Sequence, residues 1–295
     1  MKLYTIDTEL FKLDGGAMFG VVPKTIWNKL NPADENNMCT WAMRLLLIED
    51  GKRLILVDTG IGNKQDAKFF SHYYLHGNAT LDNSLAKHGF HRDDITDIIL
   101  THLHFDHVGG AVLNNNGKLE PAFKNAVYWS NTLHWNSAVQ PNPREKASFL
   151  KENILPLQES GQLQFIEGPY TTTVQNGAAL PPLHTIHTPF TADIAIRYVN
   201  GHTDSMMLPQ IQYKGHTLLY MADLLPSTGH IPLPYVMAYD MRPLDTLSEK
   251  AAFLQEAADN NYILFLEHDP VNECCTLQTT EKGVRLKDTF TLSSL

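Results

Sequence analysis

Ile98-Ile99-Leu100-Thr101-His102-Leu103-His104-Phe105-Asp106-His107-Val108-Gly109-Gly110 is the stretch on which the fold and chemistry of this 295-residue chain turn. An apolar strand-like run breaks into His-x-His-x-Asp-His and then two glycines. Three imidazoles and a carboxylate this close together are hard to justify as packing. Buried without a cation, they would leave polar groups unpaired at a cost of several kcal/mol. Imidazole and carboxylate are the donors that Zn²⁺, Mn²⁺ and Fe²⁺ accept. In extended backbone, residues i and i+2 share a face, so His102 and His104 point the same way. Asp106 and His107 then fall on the following turn or first helical turn and face a second metal. Gly109 and Gly110 are expected to let backbone pass close to the site and to take unusual φ/ψ values.

Four donors cannot complete two coordination shells, so the remainder must come from elsewhere. Metal ligands need rigid supports, and strand ends provide them. Three candidates stand at such ends: His202 after Ile194–Val199, Asp223 after Leu218–Ala222, and His268 after Ile263–Leu266. His187, in His184-Thr185-Ile186-His187, competes with His202 for its slot; Pro189 follows it and no clear strand leads into it. Asp58, in Leu54-Ile55-Leu56-Val57-Asp58-Thr59-Gly60, is a fourth strand-end acid. It is expected to orient a ligand histidine, a support that such sites need.

Short runs rich in Val, Ile, Leu and Tyr predict strands. They lie at Lys2–Leu10, Met43–Ile48, Arg53–Val57, Ile95–Leu100, Ala126–Trp129, Leu163–Ile166, Ile194–Val199, Met206–Tyr213, Thr217–Met221 and Ile263–Leu266. Helices are expected at Asn83–His88, Arg144–Leu155 and Leu247–Asn260. The last would bury Leu247, Ala251, Leu254 and Ala258 and be capped by Asp245 or Thr246. Helices interleaved with strands imply an α/β layered architecture. The aromatics of 69–90 are expected as a lid, a subunit interface or a core helix. Met18–Trp27 is expected as a pocket wall, a core-packing hairpin or a dimer contact.

The net charge of −9 and the absence of a Lys/Arg cluster argue against a nucleic-acid partner. Met1–Phe11 lacks the apolar core of a signal peptide and no stretch approaches a membrane span, so a cytoplasmic protein with no membrane partner is expected. The three cysteines (Cys39, Cys274, Cys275) fit neither a disulfide framework nor a zinc site and are expected as ordinary thiols.

The motif order Asp, His-x-His-x-Asp-His, His, Asp, His resembles that of the metallo-β-lactamase superfamily, from about residue 40 to 270. The resemblance implies one domain over 1–295, a four-layer αββα sandwich with two metals at one edge between the sheets. It implies His102, His104 and His202 on metal 1, Asp106, His107 and His268 on metal 2, and Asp223 bridging them. Such a pair, two zinc ions or else Mn, Fe, Ni or Co, would share a water and lower its pKa. The resulting bridging hydroxide would open an ester-type bond, with Asp106 handling its proton. Gly15-Gly16-Ala17-Met18-Phe19-Gly20-Val21-Val22-Pro23-Lys24, Met221-Ala222-Asp223-Leu224-Leu225-Pro226 and Val236-Met237-Ala238-Tyr239-Asp240 are similar to quorum-quenching lactonases of the YtnP type. That branch takes in N-acyl-homoserine lactone hydrolases and borders the methyl-parathion-hydrolase-like enzymes. It implies a small lactone or ester substrate, and analogy adds a homodimer. A neighbouring lactonase branch has a Tyr three residues after the bridging Asp; here Pro226 stands there, which leaves Tyr239 or His230 to supply the hydrogen bond. The alternatives are a phosphotriesterase, phosphodiesterase or thioesterase of the same superfamily, and a redox diiron protein. His104→Ala and Asp106→Asn are each expected to abolish turnover; near-normal rates with intact metal content would refute their roles.

Overall fold

Residues Arg44–Asp50 show how the layers are assigned. Successive strand side chains alternate sides. Leu45 and Leu47 pack with Leu81, Leu85, Trp135, Ile154 and Leu157 from three helices. Leu46 and Ile48 pack the opposite way, with Ile55, Val57 and Ile99 and with residues of a second sheet. All four are fully buried, so this sheet is covered on both faces. The computed structural model describes residues 1–166 and 187–295.

The first sheet has six strands in the spatial order Lys2–Asp7, Arg44–Asp50, Arg53–Val57, Asp97–Ile99, Val127–Ser130 and Leu163–Phe165. Its first three strands are antiparallel and the rest run parallel to Arg53–Val57. The second sheet has seven: Thr188–Pro189, Ile194–Val199, Met206–Tyr213, His216–Tyr220, Ile263–Phe265, Cys274–Thr280 and Gly283–Phe290. Neighbours there are antiparallel except His216–Tyr220 with Ile263–Phe265. The helix Pro243–Asp259 covers it through Phe253, Leu254 and Ala257. Helices, sheet, sheet and helix make the expected αββα sandwich. No helix among the described residues is long and apolar enough to cross a membrane.

Pairing has a functional consequence. Ile194–Val199, His216–Tyr220 and Ile263–Phe265 share one direction, because two antiparallel steps separate the first from the second. Their C-terminal ends open at the same edge, and the segments that follow carry His202, Asp223 and His268. In the first sheet, the parallel strands Arg53–Val57 and Asp97–Ile99 deliver Asp58 and the His102–His107 loop. The sheets are tied there by Met207 N–H to Thr101 O (2.8 Å) and Ala42 N–H to His268 O (3.1 Å).

Several expectations are corrected. The last long helix begins at Pro243, with Arg242 rather than Asp245 or Thr246 at its N-cap. Proline suits the first helical position, where no donor is needed. Its buried face is Thr246, Lys250, Phe253, Leu254 and Ala257, rotated from the expected one. A lysine joins that face because its ammonium donates to His230 O, Pro232 O and Tyr235 O. The helix expected over Arg144–Leu155 spans Lys151–Glu159, since Asn142 Oδ1 accepts from the Arg144 and Glu145 amides and holds that segment in a turn. Lys2–Leu10 splits at Asp7, and the polar hairpin Cys274–Thr280/Gly283–Phe290 was not anticipated. Gly109 and Gly110 do permit close approach: a Cβ on either would lie 2.1 Å from Ile61 O or Thr59 O. Neither has a positive φ, so the unusual backbone expected of them is absent. Cys39, Cys274 and Cys275 are free and buried. Phe253→Ala should cost about 3–5 kcal/mol through the cavity it leaves, measured by denaturant unfolding.

Candidate metal centre

Asp58 ends its strand with φ 60°, and Ala222, just before Asp223, has φ 41°. Both are left-handed conformations that a non-glycine residue holds only when its surroundings require it. What Asp58 gains is visible: Oδ1 accepts the Thr101 amide (2.7 Å), and Oδ2 accepts the Thr101 hydroxyl (2.6 Å) and faces His107 Nδ1 (3.1 Å). The acid expected to orient a ligand histidine therefore fastens the start of the histidine loop. His107 presents Nε2 to the opposite side.

Two groups of donors result. His102, His104, His202 and Asp223 form one, and Asp106, His107 and His268 the other; within each group the donor atoms lie within 4.8 Å of one another. His202 Nε2 is 3.1 Å from His104 Nδ1, and His268 Nε2 is 3.2 Å from His107 Nε2. Asp223 faces both groups, with Oδ2 3.1 Å from His202 Nε2 and Oδ1 3.0 Å from His268 Nε2. Asp106 Oδ2 is 3.7 Å from His107 Nε2 and 3.8 Å from His268 Nε2.

These residues fit a metal pair. His102 Nε2 and Asp223 Oδ1 are buried with no hydrogen-bond partner. Tetrahedral ligands at about 2.0–2.1 Å from a zinc ion are spaced by roughly 3.3 Å, close to the separations seen here.

Each histidine is anchored at its far side. His104 Nε2 meets Glu145 (3.2 Å), which also accepts from Thr203. His202 Nδ1 meets Asp240 (2.8 Å), and His268 Nδ1 meets Ala42 O (2.7 Å). His134 accepts the Leu103 amide through Nε2 (2.8 Å), so its other nitrogen donates to Asp204 O (2.7 Å) and the loop backbone is pinned. Burial lowers the pKa of His102 and His104, whereas Asp223 raises that of His202 to about 10 and that of His268 to about 9. Burial also raises Glu267 to about 7. Glu145, Asp240 and His134 were missed in the sequence, since nothing in their spacing links them to the motif; Glu267 was missed although it directly precedes His268.

A cavity of about 430 Å³ opens over the donors. His104, Asp106, His202, Asp223 and His268 form its floor; Leu13, Met18, Tyr73, Met237 and Tyr239 are among its walls. Of the aromatics just after residue 68, Phe69, Phe70 and Tyr73 are core and wall, with Tyr73 packed on Phe69 and Phe105 at 4.9 and 4.7 Å, whereas Tyr74 is exposed. Phe19 and Trp27 stack on each other at 5.4 Å in the core, leaving Met18 for the cavity. His230 is elsewhere: its nitrogens meet Ser227 Oγ and Met18 O (both 2.9 Å), and its ring stacks on Phe19, so it is not a cavity donor. His187 is exposed on the edge of the second sheet; His184–Ile186 lie outside the described residues.

A paired donor set of this kind, at the edge of an αββα sandwich, defines the metal-dependent hydrolases of one superfamily. Residues 45–268 match the family description "Metallo-beta-lactamase superfamily", and the chain belongs to that superfamily. No curated protein matches it. Among solved structures it is similar to a probable metal-dependent hydrolase from Staphylococcus aureus (25% identity, TM-score 0.80, 98% of each chain covered). It is also similar to AidC, a dizinc quorum-quenching lactonase in complex with its product (21%, TM-score 0.75, 98% of this chain and 95% of that one). A third is the hydrolase AbOPH (17%, TM-score 0.75, 98% and 94%).

Ligand histidines must shed protons to bind a cation. His202 and His268, raised to about 10 and 9, are protonated near neutrality in the metal-free protein. Metal uptake should therefore release protons, and affinity should rise from pH 6 to pH 8. Calorimetry in buffers of different ionisation enthalpy checks both.

Proposed function

We propose that this chain is a dinuclear hydrolase that opens a lactone or related carboxylic ester. The observation that carries the proposal is the placement of Asp223 between the two donor groups, on the floor of a cavity with largely apolar walls. His102, His104 and His202 would hold one cation, Asp106, His107 and His268 the other, and Asp223 both. Zinc suits this nitrogen-rich set, and AidC, a structural relative, is a dizinc lactonase.

The cations, when bound, supply Lewis acidity toward the substrate oxygen and lower the pKa of a shared water. The remaining work falls to side chains. Asp106, 8% exposed at the cavity floor, takes the proton of the attacking water and returns it to the leaving oxygen. In a lactone that oxygen stays tethered to the acyl product. Apolar walls at Leu13, Met18 and Met237 exclude water and take an aliphatic substituent. Tyr239 lines the same cavity, and its phenol is an O–H donor at neutral pH. It replaces the hydrogen bond that Pro226 cannot offer, assisting the oxygen on which charge develops.

A panel of aliphatic lactones, aryl esters and phosphotriesters tests the substrate class: lactones should give the highest kcat/KM, and a preference for phosphotriesters overturns it. Tyr239→Phe should lower kcat by about 10²-fold with KM nearly held, the effect of removing one oxyanion donor.

A further inference from the structure

Glu267 is fully buried, and neither carboxylate oxygen has a hydrogen-bond partner among the described residues. Its Oε2 lies 3.2 Å from His107 Nδ1, the nitrogen that Asp58 Oδ2 already faces at 3.1 Å. Asp58, His107 and Glu267 thus form a compact buried group behind the His107 ring, on the side away from the cavity. The two acids are not equivalent. Asp58 accepts two bonds from Thr101 and fastens the loop, so its place is explained by local structure. Glu267 accepts no well-aligned bond that fixes a loop: its backbone is held by Arg44 N–H to its carbonyl (3.0 Å), the Tyr220 hydroxyl beside it donates to Arg44 O (3.1 Å), and its side chain faces His107. An apolar or amide side chain would satisfy the fold there at lower cost, because a buried carboxylate that accepts no well-aligned hydrogen bond and stands beside a second acid is destabilising.

Resting on the dinuclear reading above, we infer that Glu267 is a positioning residue for the second cation, acting through His107. A second carboxylate behind Nδ1, beside the N–H that Asp58 accepts, adds negative charge there and raises the electron density at Nε2, making the ring a stronger donor. The Nε2 side faces His268 and Asp106, the second donor group, whereas Glu145 and Asp240 serve the first. The effect is therefore selective: Glu267 strengthens one site of two, and the metal-free protein bears the cost.

The test is Zn²⁺ titration of metal-free protein against a chromophoric chelator, on wild type, Glu267→Gln and Glu267→Met, with thermal melts of the metal-free forms. Both variants should bind the first equivalent as wild type does and the second some 10–100-fold more weakly, the range for outer partners of a ligand histidine. Their metal-free melting temperatures should equal or exceed that of wild type. Unchanged affinity for the second equivalent overturns the inference, as does a metal-free variant that fails to fold, since the carboxylate would then be structural. A wild type that takes up no second equivalent overturns the dinuclear reading along with it.

Discussion

Two pairs of imidazole nitrogens face each other at just over 3 Å, His202 with His104 and His268 with His107, buried beneath the cavity. Unprotonated, such nitrogens present lone pairs to one another; protonated, they crowd charge into a low-dielectric space. A positive centre between them, either a proton carried by His202 or His268 or a bound cation, relieves both. That constraint explains the shape of the molecule at this edge. The donors come from four places in the sequence, and only elements as stiff as β-strands can press them together against their repulsion.

Outer contacts hold the donors in place. Asp58, Glu145, Asp240 and the Ala42 carbonyl each take the far nitrogen of one histidine, which fixes the tautomer and leaves the other nitrogen free. Asp58 does so from a left-handed backbone, so local strain is exchanged for orientation. His134 carries no donor into the site, yet it fixes the backbone between His102 and His104. Turning any one ring would disturb a contact in a different segment of the chain.

The donors were legible because their chemistry is concentrated: His102 to His107 announce themselves, and His202, Asp223 and His268 follow short apolar runs that read clearly as strands. The sandwich was legible through the same runs. What could not be read were partners chosen by tertiary contact. Glu145 precedes its helix in a turn that the Asn142 side chain dictates, and its charge looks like any surface glutamate. Lys250 sits on a helix face that sequence assigns to solvent, because its three carbonyl partners arrive from a loop fifteen to twenty residues earlier. The Cys274–Phe290 hairpin, rich in Thr and Lys, lacks the apolar alternation that marked the other strands.

Glu145 lies beside Arg144 in the cavity wall, and Asp240 directly follows Tyr239, so the segments that shape the pocket also carry the props of His104 and His202. The rear props of His107 and His268, Asp58 and Ala42, belong to segments that do not contribute to that wall. Divergence toward new substrates is thereby uneven in its side effects. Loop changes that reshape the pocket will jostle one half of the centre while the other half stays insulated.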